Sequence, residues 1–434
     1  MEYDGTPELK SQSNNIHYLN FPHKDKSVKD RKLSSASSNY NSLESEIWAL
    51  KPSVPVYAIR PNNIKKAGKF FLENFSGKVL YSVKSNPEIS ALTHLYDAGV
   101  RNFDVASLNE IKLIANLFPG SAMYFMHPIK AREAIHAAYF DYGIRDFSLD
   151  SMDELEKILA VTGNAKDLNL HVRLAVSKGS ALIDLSGKFG ILPSRAVALV
   201  RKTRSAAKTL GICFHVGSQC MDPTEYRHAI NVARNVVNAA KVKLDVLDVG
   251  GGFPSSYPSL TPPPLRNYID EINDAVKSVG FEGVELWCEP GRALVAESGS
   301  LIVRVEARKN NMLYINDGTY GGLFDAGHPS FIYHSRTIRT NGRKAALSNK
   351  LIPFGFYGPT CDSLDAMKGP FYLPDNISEG DYIEIGGLGA YSKSLRTNFN
   401  GFNDIIEIEV SDAPLISLYD EEQANAQIEI SNQE

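Results

Sequence analysis

Lys84 closes the run KVLYSVK, so a primary amine ends a short apolar and aromatic stretch. Such a lysine reads as a solvated strand terminus, the usual fate of the residue, or as a nucleophile desolvated enough to condense with a carbonyl. Nothing adjacent separates the two readings, but the other polar residues of the chain bear on them. Gly250-Gly251-Gly252 follows LDVLDV. Three glycines permit a tight turn, or a loop whose bare N–H groups approach a phosphate closely. Glu289-Pro290-Gly291-Arg292 sets a carboxylate just ahead of a guanidinium. Arginine can grip a phosphate with two hydrogen bonds, and a glutamate can hold a proton on a ring nitrogen. His215 in FHVGSQ reads as a core histidine or, beside Ser218, as a ring laid flat against an aromatic ligand. Asp104 and Glu110, in FDVASLNE, suit a helix start or an ammonium in need of orientation. Farther along, GPTCDSLD places the Cys361 thiol beside Asp362, and Tyr391 follows the flexible GLGA.

These residues need elements to carry them. From Lys78 to Arg292, eight runs rich in β-branched and aromatic residues alternate with stretches of helical period. They are KVLYSVK, NFDVAS, MYFMHP, DFSLDS, LNLHVRLAV, GICFHVGS, LDVLDVGGG and VELWCEPG. Asn86-Pro87 predicts a capped helix start, and Gly99 its close. Eight such βα units fit a closed parallel barrel better than an open sheet. Read in order, the strand ends carry Lys84, Asp104, His127, Asp150, Arg173, His215 with Ser218, the glycine triplet, and Glu289 with Arg292. Barrels of this kind place their chemistry on that rim, and phosphate after the seventh and eighth strands. The fold expected is therefore α/β: a TIM-like barrel over 61–295, then a mainly β domain over 296–415. VPVYAIR, within 46–60, is a strand that could join the β domain. Residues 1–45, polar and rich in Ser and Asn, read as a disordered leader, and 416–434 as an acidic tail.

Bulk properties narrow the rest. A chain of 434 residues with 43% hydrophobic residues can bury two sizeable cores. Its net charge of −4 offers no attraction to nucleic acid or an anionic membrane, and no apolar run is long enough to span a bilayer. Four scattered cysteines without a CxxC pair suit reduced thiols in the cytoplasm and predict no metal site.

YSVKSNP, FDVAS, FHVGSQ, DVGGGFP, CEPGR, GPTCDS and GAY follow one another in the order and spacing of a known family. The chain resembles the ornithine decarboxylase group of fold type III pyridoxal-phosphate enzymes. Its phrasing is most similar to the bacterial ornithine and lysine/ornithine decarboxylases. The resemblance implies an alanine racemase-like barrel and β domain, a pyridoxal 5'-phosphate cofactor, and a homodimer with shared active sites. Lys84 would bind the cofactor as a Schiff base near Asp104 and Glu110, with His215 on the ring. Ser218, the Gly250–Gly252 turn, Arg292 and Tyr391 would hold the phosphate, Glu289 would pair with the ring nitrogen, and Arg173 would lie close. Cys361 and Asp362 would enter from the partner subunit, and Lys188 would pair across the interface with Asp365. The reaction implied is decarboxylation of a basic amino acid, L-ornithine to putrescine first and L-lysine to cadaverine next. One departure stands out: family members carry Tyr-Asp where this chain has Tyr333-His334. A histidine partners a cation poorly, which leaves Asp362, Tyr333 and Asp325 to bind the substrate. The alternatives are a diaminopimelate decarboxylase, against which Cys361-Asp362-Ser363-Leu364 argues, and a non-catalytic regulator like the antizyme inhibitors.

Overall fold

The computed structural model describes residues 40–419, apart from 177–178, 180, 183–186, 259, 329, 341 and 343–344. The first strand, β1 (Val56–Ile59), precedes eight parallel strands. These are β2 (Lys78–Ser82), β3 (Asn102–Val105), β4 (Ala122–Phe125), β5 (Asp146–Leu149), β6 (Asn169–Arg173), β7 (Thr209–Cys213), β8 (Val246–Asp248) and β9 (Glu285–Cys288). They close on themselves where Lys78 and Val79 pair with Trp287 and Cys288. All eight coincide with the runs read from the sequence.

The pleat explains why these strands are both apolar and chemically useful. Successive side chains point to opposite faces. Val79, Tyr81, Phe103, Phe125, Leu170 and Leu247 face outward into the large core shared with the surrounding helices. Leu80, Tyr124, Met126, Cys213, Val246 and Trp287 form a separate cluster inside the cylinder. One step above it, the same inward parity delivers Asp104, Asp248 and Glu289 to the rim. Ser107 and Ser151 start the helices after β3 and β5, each accepting the N–H of the glutamate three residues on.

The predicted helix start at Asn86-Pro87 shifts in the structure. The helix spans Ile89–Asp97, and the Asn86 carboxamide instead accepts the Glu88 N–H at 3.0 Å in the turn before it. Gly99, with φ +109°, closes the helix as expected.

The second domain is one eight-stranded sheet. It comprises β10 (Gly299–Lys309), β11 (Met312–Ile315), β12 (Ser335–Ile338), β13 (Leu351–Tyr357), β14 (Ala366–Pro374), β15 (Tyr382–Gly386), β16 (Ile406–Glu409) and the early strand β1. β1 lies between β10, antiparallel to it, and β16, parallel to it. Chain order and space thus diverge: the barrel is inserted between strands of one sheet. Buried Arg60, next after β1, donates to Glu384 at 2.7 Å and to Ser300 at 2.8 Å.

Both expected tails are shorter at their inner ends. A helix, Leu43–Leu50, begins inside the supposed leader, capped by Ser42 and anchored by buried Leu43 and Ile47. Its apolar face packs on Val56, Ile302 and Val410, which composition alone did not reveal. At the other end Ser417 is buried, and Tyr419 donates to the Ala293 carbonyl at 2.6 Å. The remainder of each predicted tail lies outside the described residues.

Glu409 on β16 ties the sheet to the helix that follows Lys84. It bonds His94 Nε2 at 3.0 Å and accepts the Ser90 hydroxyl at 2.5 Å. The His94 bond, aided by Ser90 and opposed by burial, holds its pKa at about 2. A depressed folded pKa stabilises the fold above the ordinary carboxylate range, and that contribution vanishes as pH falls towards about 2. Glu409→Gln is therefore expected to flatten the acid limb of the thermal-stability profile. Wild-type and variant curves that run parallel below about pH 5 would disprove the link.

Candidate active site

Lys84 stands one step beyond where its strand ends, within the short 3₁₀ turn Val83–Ser85. Its Nζ lies 3.3 Å from Asp104 Oδ2, which also accepts the Ser82 hydroxyl at 2.9 Å. Asp104 is 4% exposed, whereas the Lys84 side chain is 45% exposed. Burial disfavours the ammonium, but Asp104, Tyr391 and Glu289 outweigh it and hold the Lys84 pKa above its ordinary value. Glu110 is close enough to feel both charges, and its Oε2 accepts the Ala106 N–H at 2.6 Å. The β domain reaches this spot directly: the Tyr391 N–H donates to the Ser85 carbonyl at 3.0 Å.

Two acids stand on the neighbouring strands of the same rim. Asp248, fully buried on β8, accepts the Gly250 N–H at 2.8 Å, and its carboxyl lies close enough to that of Glu289 for each to shift the other's titration. Two buried carboxyl groups this near disfavour each other's negative charge. Burial, then Asp248 and Asp104, push Glu289 well above the usual carboxylate range, against the pull of Lys84. Burial likewise raises Asp248.

His215 Nδ1 accepts the Gly217 N–H at 3.0 Å, which leaves the ring proton on Nε2. Burial, with Arg173 and Lys84 nearby, keeps its pKa well below the ordinary value, so the ring is neutral. Ser218 is half-buried on the same turn. The glycine triplet abuts it closely. A Cβ on Gly250, where φ is +70°, would lie 2.0 Å from the Phe214 carbonyl oxygen. One on Gly251 would lie 2.7 Å from the Glu289 oxygen and 3.1 Å from His215 Nε2, and one on Gly252 2.7 Å from the Gly217 oxygen. More than an ordinary tight turn, the triplet is a cradle that a side chain would fill. Gly250→Ala is expected to destabilise the protein by about 1–3 kcal/mol from backbone strain alone. A melting temperature equal to wild type would show that the turn tolerates a side chain.

Arg292 is 4% exposed and donates to the Tyr257 hydroxyl at 2.9 Å and to Asp325 at 3.3 Å. Burial opposes its charge, but Tyr257 and Asp325 more than compensate. Its guanidinium lies 4.8 Å from the centre of the Tyr391 ring, and its Nε is buried without a partner. The structure places Asp325, expected to bind the substrate, in a pair with Arg292. Its charge is already answered by Arg292, so it is not a free carboxylate waiting for a substrate cation. Tyr333 is buried with its ring 5.4 Å from that of Tyr257, and burial lowers the pKa of His334. Arg173 ends β6 with its guanidinium 5.5 Å from the Phe189 ring.

Cys361 and Asp362 stand elsewhere, on the connection between β13 and β14. Cys361 is exposed, and both its N–H and its thiol approach Asn400 Oδ1, at 3.1 and 3.2 Å. Asp362 accepts the Leu364 N–H at 3.0 Å and the Tyr320 hydroxyl at 2.5 Å, bonds that hold its pKa below the ordinary value. Every one of these contacts lies within the β domain. Asp365 is buried there too, accepting from Thr319 and Thr360, while Lys188 is exposed on the barrel. Their expected pairing is not made within one chain.

Comparison with known proteins fits this geometry. Residues 62–296 match the pyridoxal-binding domain of the pyridoxal-dependent decarboxylases. This chain belongs to that family. The lysine/ornithine decarboxylase of Selenomonas ruminantium is 32% identical over 333 residues, 75% of this chain and 81% of that protein. Antizyme inhibitor 2 of Xenopus laevis is 30% identical over 359 residues, 75% of this chain and 74% of that one. Among solved structures, the arginine decarboxylase of Paramecium bursaria Chlorella virus, bound to agmatine, superposes with a TM-score of 0.74. It is 27% identical, and the match covers 84% of this chain and 98% of that one. The chain is a carbon–carbon lyase acting on basic amino acids, and its cofactor is pyridoxal 5'-phosphate.

The decarboxylase mouth suits that cofactor in its own chemistry. A buried Arg292 Nε lacks an acceptor, a glycine cradle excludes side chains, and a buried acid pair with raised pKa values shares the rim with the lysine. No group of side chains among the described residues could hold a metal ion, and no described helix is long and apolar enough to cross a membrane. Reading the sequence missed Asp248, Ser82 and Tyr257. Asp248 was within reach: it is an acid in an apolar strand, two residues before Gly250, on the inward parity.

Proposed function

We propose that this decarboxylase converts L-ornithine to putrescine and accepts L-lysine, giving cadaverine, as a second substrate. The observation that carries the catalytic reading is convergence. An amine, a buried acid pair and a guanidinium whose Nε is free, drawn from three separate strand ends, meet at one rim. Lys84 would hold the cofactor through its amine, with Asp104 orienting that amine. His215, neutral and beside the glycine turn, would offer its face to the ring. Arg292, Ser218, Tyr391 and the N–H groups of Gly251 and Gly252 would hold the phosphate, the Gly250 N–H being taken by Asp248. Glu289, backed by Asp248, would hold a proton on the ring nitrogen, while Arg173 and Asp104 would balance the charges around it. Pyridoxal phosphate, when bound, supplies an electron sink for the pair released as carbon dioxide leaves. Cys361 then returns a proton to the substrate α-carbon.

Asp362 is the proposed partner of the distal ammonium, with Tyr333 beside it. Its depressed pKa keeps it ionised, whereas Asp325 is spent on Arg292 and His334 is neutral. Because Cys361 and Asp362 bond only within the β domain, they serve the rim of a second subunit, and the working form is a homodimer with shared sites. Mixing equal amounts of Lys84→Ala and Cys361→Ala subunits is then expected to restore about a quarter of wild-type activity. Half the dimers are mixed, and each has one intact site of two. No recovery would place both residues in one chain's site.

The substrate is tested by measuring carbon dioxide released from ornithine, lysine, arginine and diaminopimelate in parallel. Ornithine should give the highest kcat/KM. Preference for arginine or diaminopimelate would sink the ornithine assignment, and no release from any of them would favour a non-catalytic regulator.

A further inference from the structure

Gln219 is a non-glycine residue with φ +59°, in the left-handed region, and it is fully buried beside Ser218. Such a conformation persists only where surrounding contacts over-determine it. Here the contacts come from its own carboxamide. Oε1 accepts the Ser255 N–H at 3.0 Å, and Nε2 donates to the Ser255 carbonyl. One side chain therefore pairs both backbone groups of a single residue, as a neighbouring strand would. Ser255 is 2% exposed, so without Gln219 two strong backbone groups would be left buried and unpaired.

The two segments joined in this way are the ones that form the rim. Gln219 continues the turn bearing His215 and Ser218, and Ser255 continues the glycine turn 250–252. Their backbones already touch: Cys220 N–H donates to the Gly252 carbonyl at 3.0 Å, and a Cβ on Gly252 would come within 2.7 Å of the Gly217 oxygen. We propose that Gln219 is a positioning residue for the cofactor, whose carboxamide locks the turn bearing His215 and Ser218 onto the glycine cradle. The inference rests on the reading of this rim as the pyridoxal-phosphate site. Gln219 itself touches neither the ring nor the phosphate in this role; it sets the distance between the groups that do.

The test is titration of cofactor-stripped protein with pyridoxal phosphate, reading the Kd and the visible circular dichroism induced in the bound cofactor. Gln219→Gly removes the backbone strain together with the clamp. Gln219→Glu keeps the length and the acceptor but sets an oxygen against the Ser255 carbonyl. Both are expected to raise the Kd about tenfold or more and to weaken the induced dichroism, with far-ultraviolet dichroism unchanged at the same temperature. A merely structural role would lower the unfolding temperature while leaving Kd and the induced signal as in wild type, and that result overturns the proposal. Should Gln219→Gly fail to fold, the glutamate variant decides alone. Failure of the wild-type protein to bind pyridoxal phosphate would instead bring down the cofactor reading, and this inference with it.

Discussion

Lys84→Ala is expected to lower decarboxylation on the order of 10³-fold or more and to abolish the visible absorbance of lysine-bound cofactor. The loss should be chemical, not structural. The Lys84 side chain is 45% exposed and packs into no core, so its truncation leaves the barrel intact. Pyridoxal phosphate should still bind the variant through Arg292 and the glycine turn, with weaker affinity and no covalent link. The rival amine is Lys130, whose pKa burial lowers to about 8 against the opposing pull of Glu154. That would suit a nucleophile, but the Lys130 Nζ is fully occupied. It donates to the carbonyls of His127 at 3.0 Å and Ser148 at 2.5 Å and pairs with Glu154 at 3.0 Å. Retention of the visible band in Lys84→Ala, and its loss in a Lys130 variant, would show that the wrong lysine has been assigned.

Glu289→Gln should move rate and stability in opposite directions. An amide cannot balance the charge of a protonated ring nitrogen, and kcat is expected to fall about 10²–10³-fold, the range seen when one preorganised electrostatic contact is lost. In the cofactor-free protein the same change relieves a buried acid pair. A carboxyl whose folded pKa is raised contributes stability at low pH, and that contribution is lost as pH rises through the raised value. Glu289 and Asp248 are both raised. Cofactor-free Glu289→Gln should therefore melt higher than wild type at neutral and alkaline pH, with the gap closing in acid. Asp248→Asn is expected to act on the rate in the same direction but less strongly, since it touches Glu289 and not the ring. A variant with reduced rate and an unchanged pH profile of melting would show that Glu289 is not coupled to Asp248 in this way.

Much of this enzyme was legible before any coordinates. The eight runs from KVLYSVK to VELWCEPG became the eight barrel strands because pleat period and length are local properties, written in side-chain type. The glycine triplet was legible for a similar reason: only glycine takes φ +70° and +106° beside another backbone at little cost. Lys84, His215 and Glu289 were read as strand-end residues, and their family resemblance pointed to one cofactor.

Other features required closure of the fold. The sequence of residues 80–84 reads identically for a solvated lysine and for one held by Asp104. Which holds depends on the stagger that sets Ser82 beside Asp104. Asp325 looked free for a substrate until the sheet carried it to Arg292, and Asp248 looked like one more strand residue until the barrel turned it towards Glu289. Cys361 and Asp362 proved to bond within the β domain alone, and the helix Leu43–Leu50 emerged from a polar leader because a distant sheet offered it an apolar face. Local chemistry decides what a short segment can become. Charge pairing, burial and pKa arise between segments hundreds of residues apart, and only their packing decides them.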